Sequence, residues 1–215
     1  FSDVSTLAHE LGHAWHAHCM ENLPVLMTQA PMPLAETAST FNETLLSHTV
    51  LMTATPERAF SILEGSLMEA TRFLFESAVF EARKTHTPSV DELRAMMLSA
   101  QEEAYGDGLD KEVRHPDMWI NKGHYYTVGL HYYNFPYAFG LLFGLGVYQK
   151  YAQAGTAFLP AYDALLASCG SDTVYHVAKS VGIDVHDIGY WRSALDVLRG
   201  EIDEFEALAA QKGKQ

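Results

Sequence analysis

The sequence predicts an all-α fold. Apolar residues recur at three- and four-residue spacing along most of the chain, and prolines and glycines cluster between those stretches. With 48% hydrophobic and 19% charged residues over 215 positions, the chain is globular and long enough to bury a sizeable core. No internal repeat or low-complexity tract divides it, so residues 1–215 are expected to form a single helical domain.

The elements follow in order. Val4, Leu7, Ala8, Leu11, Ala14 and Trp15 mark one face of a helix over 4–21, which Asn22-Leu23-Pro24 ends. Pro31 and Pro33 punctuate a loop, and a second helix is expected over 34–52. Pro56 behind Thr55 opens a third, reaching about Arg83, with Phe60, Leu63, Leu67, Ala70, Leu74 and Ala78 at helical spacing. Thr87-Pro88-Ser89 starts a fourth over 90–105, broken by Gly106-Asp107-Gly108. Residues 107–134, rich in His, Tyr, Gly and Trp, show no clean period and read as an irregular segment suited to carrying function. Helix resumes over 138–152, near 158–168, near 172–180 and over about 187–209.

Composition excludes several roles. A net charge of −13 repels phosphate backbones, so no nucleic-acid partner is expected. The longest apolar stretch, 135–147, is too short and glycine-rich for a membrane span. Phe1-Ser2-Asp3-Val4 lacks the basic start of a secretory signal. Two cysteines, Cys19 and Cys169, make no disulfide framework, and a reduced cytoplasmic setting is expected. The chain starts without Met eight residues before its main motif, so an N-terminal part is expected to be missing.

That motif is His9-Glu10-Leu11-Gly12-His13, an H-E-x-x-H on a predicted helix. Residues four apart share a helix face, so both imidazoles can meet one zinc ion. Glu10 sits at the edge of that face, where it can act as general base toward a water at the metal. A third ligand is needed. The extended His pattern would put Gly at 16 and His at 19, where this chain has His16 and Cys19. Glu36, opening the second helix, is the candidate, against the alternative of an acid placed for the helix dipole. Glu43, two turns on, is either a partner that fixes a ligand histidine or a surface glutamate.

Together, His9 to His13, the run Ala35-Glu36-Thr37-Ala38-Ser39-Thr40-Phe41-Asn42-Glu43 and the run Tyr133-Asn134-Phe135-Pro136-Tyr137-Ala138-Phe139-Gly140 resemble the M3 metallopeptidases. The resemblance is greatest to the oligoendopeptidase F branch, related to thimet oligopeptidase, and runs from Val4 to about Tyr151. It implies a multi-helix zincin-type catalytic domain supplying one wall of a substrate channel, one zinc per chain, and short peptides as substrates. It implies His9, His13 and Glu36 as ligands, Glu10 as base and Glu43 behind the ligands. His124, Tyr133 and Tyr137 match the family's substrate-binding and oxyanion-stabilising side chains, with His131 competing for the histidine role. A tyrosine of the thimet branch would fall at Gly140. The family's greater length makes the missing N-terminal part of the enzyme a partner. Two other readings stand beside this one: a noncatalytic peptide-binding fragment, and a carboxypeptidase of the M32 type sharing the H-E-x-x-H helix.

Overall fold

The computed structural model describes residues 2–46, 48 and 56–212. Nine α-helices are among them: α1 (Ser2–Cys19), α2 (Met32–Ala35), α3 (Thr37–Leu45), α4 (Pro56–Arg83), α5 (Val90–Tyr105), α6 (Phe135–Ala154), α7 (Leu159–Ser168), α8 (Val174–Ser180) and α9 (Ile188–Lys212). Short 3-10 turns join several of them, and the described residues include no strand. None of these helices is long and apolar enough to cross a membrane. The contacts group into two compact units, 1–61 with 139–215, and 62–138.

The core of the first unit gathers Leu34, Ala38 and Phe41 with Phe143 and Val147 of α6 and Tyr162, Leu165 and Leu166 of α7. Phe41 is its hinge point: its ring stacks on Tyr162 with centroids 4.4 Å apart and meets Tyr151 edge-on at 5.6 Å. Every residue from Phe143 to Tyr148 is buried, so this middle stretch of α6 is covered on all sides, as its uniformly apolar sequence requires. Glycines make that possible: a Cβ on Gly144 would lie 2.7 Å from Thr40 Cβ, so α6 and α3 touch almost backbone to backbone.

The expected second helix differs from the observed one. It is broken at Glu36, whose φ of −91° and ψ of 5° separate α2 from α3. The Glu36 carbonyl accepts from the Ser39 hydroxyl at 2.9 Å and from the Thr40 amide at 3.0 Å, which starts a new helix there. The expected extension to Met52 falls largely outside the described residues. A second difference concerns α1. Val4, Leu7, Leu11 and Trp15 are exposed in the first unit, and the face turned to α3 is the one bearing Gly12.

The second unit is built on α4 and α5 around a small apolar cluster of Phe75, Met97 and Ala100, flanked by Leu93, Met118, Trp119 and Tyr125. α5 opens with a capping box. The Ser89 hydroxyl accepts the Glu92 amide at 3.3 Å, and the Glu92 carboxylate accepts the Ser89 amide at 2.7 Å. The irregular segment is tied down by Gln101, whose side chain donates to the His115 carbonyl at 2.8 Å and accepts its amide at 3.2 Å.

Candidate metal centre

The first unit brings four of the singled-out residues together. His9 and His13 lie one turn apart on α1, their rings edge to face with centroids 4.7 Å apart. Their Nε2 atoms are 3.1 Å from each other, and each is 3.5 Å from Glu36 Oε2. These three side chains form the one group of potential metal ligands found among the described residues. Behind them, His9 Nδ1 and Glu43 Oε1 are 2.6 Å apart. With its Nδ1–H donated to that carboxylate, His9 keeps the Nε2 lone pair toward the cluster. Glu10 follows His9 on α1, with its side chain exposed.

Two residues that the sequence reading passed over build this geometry. Gly12 is the first. A Cβ there would fall 2.5 Å from the Ala38 carbonyl oxygen and 2.6 Å from Ser39 Cα, so only glycine lets α1 lie this close to α3. Ser39 is the second. It is fully buried, and its hydroxyl donates to Glu36 Oε2 at 2.8 Å, the same oxygen that faces the two histidines. The signals were available: a glycine between the two histidines, and a serine three residues past the acid.

Gly140 also bears on this site. A Cβ on it would lie 3.2 Å from the Pro33 carbonyl oxygen and 3.4 Å from Glu36 Cβ. A tyrosine there has no room in this packing. His16, one turn beyond His13, is buried, and that burial holds its imidazole below the ordinary histidine value.

The other candidates belong to the second unit. His124 stacks on Tyr133 with centroids 5.5 Å apart, and the Tyr137 and Tyr133 hydroxyls share a hydrogen bond of 2.9 Å. Tyr137 sits in the first turn of α6 and is exposed. Burial, with help from Arg72 and Lys122, lowers the pKa of His124 and favours its neutral form. His131 instead meets Phe80 edge-on at 5.5 Å.

The family description "Peptidase family M3" matches residues 1–197. An oligoendopeptidase F homolog of Lactococcus lactis is 27% identical over 98% of this chain and 36% of its own length. Group B oligopeptidase PepB of Streptococcus agalactiae is 29% identical over 97% of this chain and 36% of its own length. The chain thus spans about a third of the length of these curated relatives. Among solved structures, a Chlamydophila abortus protein superposes with a TM-score of 0.82 at 26% identity, covering 97% of this chain and 36% of that one. Oligoendopeptidase F of Enterococcus faecium gives 0.76 at 23% identity, over 98% and 40%, and supports the all-helical fold.

Proposed function

The chain belongs to peptidase family M3, and on that footing we propose that it carries the zinc centre and catalytic base of an oligoendopeptidase acting on internal bonds of short peptides. One observation carries the reading: the triangle of His9 Nε2, His13 Nε2 and Glu36 Oε2. Tetrahedral zinc with bonds of about 2.0–2.1 Å keeps its ligands about 3.3 Å apart. The three edges, 3.1, 3.5 and 3.5 Å, match that spacing. One zinc per chain is the cofactor. When bound, it supplies a Lewis acid and makes water more acidic.

The chain's own residues do the rest. Glu43 fixes the His9 tautomer, and Ser39 orients the Glu36 carboxylate. Glu10 takes a proton from the attacking water and returns it to the leaving amine. His124 holds the substrate backbone, and the Tyr133–Tyr137 pair donates to the oxyanion that develops on the scissile carbonyl. Peptide substrates and the remaining length of the enzyme are its partners, and a reduced cytoplasmic setting suits its free thiols, Cys19 and Cys169.

Two measurements test this. Metal analysis should find one zinc per wild-type chain and less in Glu36→Gln; equal zinc in both removes Glu36 from the ligand set. In the full-length enzyme, peptides blocked at both ends should be cleaved. Turnover confined to peptides with a free carboxyl terminus would replace the endopeptidase reading with the carboxypeptidase one.

A further inference from the structure

The direction in which Tyr133 leaves the backbone is set one residue earlier, at Tyr132. Its φ of 53° is the one positive value among the described non-glycine residues. That left-handed conformation crowds a side chain against its own backbone, so a tyrosine stays in it only where its surroundings hold it. The turn leads directly into α6. The Tyr132 carbonyl accepts the Phe135 amide at 3.3 Å, and the Asn134 carbonyl accepts the Tyr137 amide at 3.2 Å.

One face of α4 holds Tyr132 in place. Phe73, Glu76 and Phe80 are three and four residues apart and share that face. Glu76 Oε1 accepts the Tyr132 amide at 2.9 Å, a bond strengthened by the carboxylate charge. The Tyr132 ring lies beside Phe73 and Phe80, with centroids 5.2 and 5.5 Å away. Glu76 is buried while Phe73 and Phe80 are exposed, so the carboxylate bond is the shielded part of this clamp. Filling the same space with an apolar residue would avoid the cost of burying a carboxylate.

The residue that follows is the first of the candidate oxyanion pair. Tyr133 stacks on His124 with ring planes 26° apart, and its hydroxyl is bonded to that of Tyr137. Were Tyr132 to relax to a negative φ, the chain would turn differently at its Cα and carry Tyr133 off that ring. We propose that Glu76 is a positioning residue for Tyr133 and, through it, for the hydroxyl pair. By holding the Tyr132 amide it fixes the direction from which the pair reaches a developing oxyanion. The effect on turnover rests on the oxyanion reading; the effect on geometry does not. A reacting geometry displaced by about 1 Å loses about 10²-fold in rate, so a residue acting through its neighbour can matter to catalysis.

Glu76→Met and Glu76→Gln form the test pair. Both fill the space and lose the charge, but only Gln keeps an oxygen for the Tyr132 amide. In the full-length enzyme, Glu76→Met should lower kcat about 10–100-fold with KM within about twofold, and Glu76→Gln should recover most of that loss. NMR of the 215-residue chain adds a readout without turnover. The His124 ring-proton shift, set by the stacked Tyr133 and assigned through His124→Gln, should move in Glu76→Met and stay near wild type in Glu76→Gln. That shift decides whether Glu76 places Tyr133 even if Tyr133→Phe leaves kcat unchanged and the oxyanion reading fails. A Glu76→Met enzyme with kcat intact, beside a Tyr133→Phe enzyme that has lost it, would overturn the proposal and leave the oxyanion reading standing. A Glu76→Gln variant that falls as far as Glu76→Met would overturn it too, because the acceptor is then not what matters. Amide exchange in the wild-type chain needs no variant to fold: the Tyr132 amide should exchange slowly, and exchange as fast as that of an unpaired amide sinks the proposal.

Discussion

The two units reach opposite solutions for their polar groups. In the first, side chains at the candidate centre are held by named partners: Glu36 by Ser39, His9 by Glu43, with α1 pressed on α3 across Gly12. Three described residues there leave a buried side-chain atom unpartnered, namely His16, Thr37 and Tyr162. Among the described residues of the smaller second unit there are seven: Glu69, Arg72, Glu76, Arg114, Trp119, His124 and Asn134. Its apolar cluster is also far smaller. Geometry fixed by backbone packing suits a metal, whose ligands must not move. The difference teaches that the candidate metal centre lies in the unit whose described polar side chains are the better held.

The largest effect expected is on chemistry in the first unit. Glu10→Gln in the full-length enzyme should lower turnover by about 10²–10⁴-fold while zinc content is unchanged. Steady-state kinetics with metal analysis checks both, and near wild-type turnover would remove Glu10 as the base. In the second unit, Tyr133→Phe or Tyr137→Phe should lower kcat by up to about 10²–10³-fold with little change in KM, because the bond forms as charge develops. Since the two hydroxyls already bond each other, the double variant should lose less than the product of the single losses. Strict multiplicativity would mean that they act separately.

How much of this was legible beforehand differs between the units for a physical reason. Helical periodicity located α1, α4 and α5 well, because their apolar spacing and caps are local properties of the sequence. The ligand spacing of His9 and His13 is likewise local. The break at Glu36 was not legible, since it depends on what its carbonyl accepts from Ser39 and Thr40. The facing of α1 was missed for a related reason. An apolar stripe of Val4, Leu7, Leu11 and Trp15 looks like a core face, but the side turned to α3 is chosen by the residue small enough to allow contact.

Glycines sharpen the comparison at the level of packing. Gly12→Ala should cost about 1–3 kcal/mol of stability, because the Ala38 and Ser39 backbone it meets cannot yield as a side chain would. It should also weaken zinc binding by separating α1 from Glu36. Gly123→Ala in the second unit, where a Cβ meets nothing within 4 Å, should change stability by less than about 0.5 kcal/mol. Denaturant unfolding of both variants is the measurement. Equal effects would show that the contact across Gly12 does not set the spacing of the site.

The smallest effect is the most direct measure of the contrast. Trp191 in the first unit donates its Nε1–H to the Val185 carbonyl at 2.9 Å, whereas Trp119 in the second has a buried Nε1–H with no acceptor. Both rings are half-buried and packed against aromatic neighbours, Phe139 for Trp191 and Phe75 for Trp119. Replacing either by Phe removes a similar amount of apolar surface, so the difference between the two variants isolates the polar atom. Trp191→Phe loses a hydrogen bond and leaves the Val185 carbonyl wanting, which adds about 1 kcal/mol to the cost. Trp119→Phe removes an unsatisfied donor, and that relief offsets part of the lost packing. Denaturant unfolding should therefore show Trp191→Phe to be the more damaging change. If Trp119→Phe proves the more destabilising, its indole already has a partner in solution, and the contrast between the two units fails at that position.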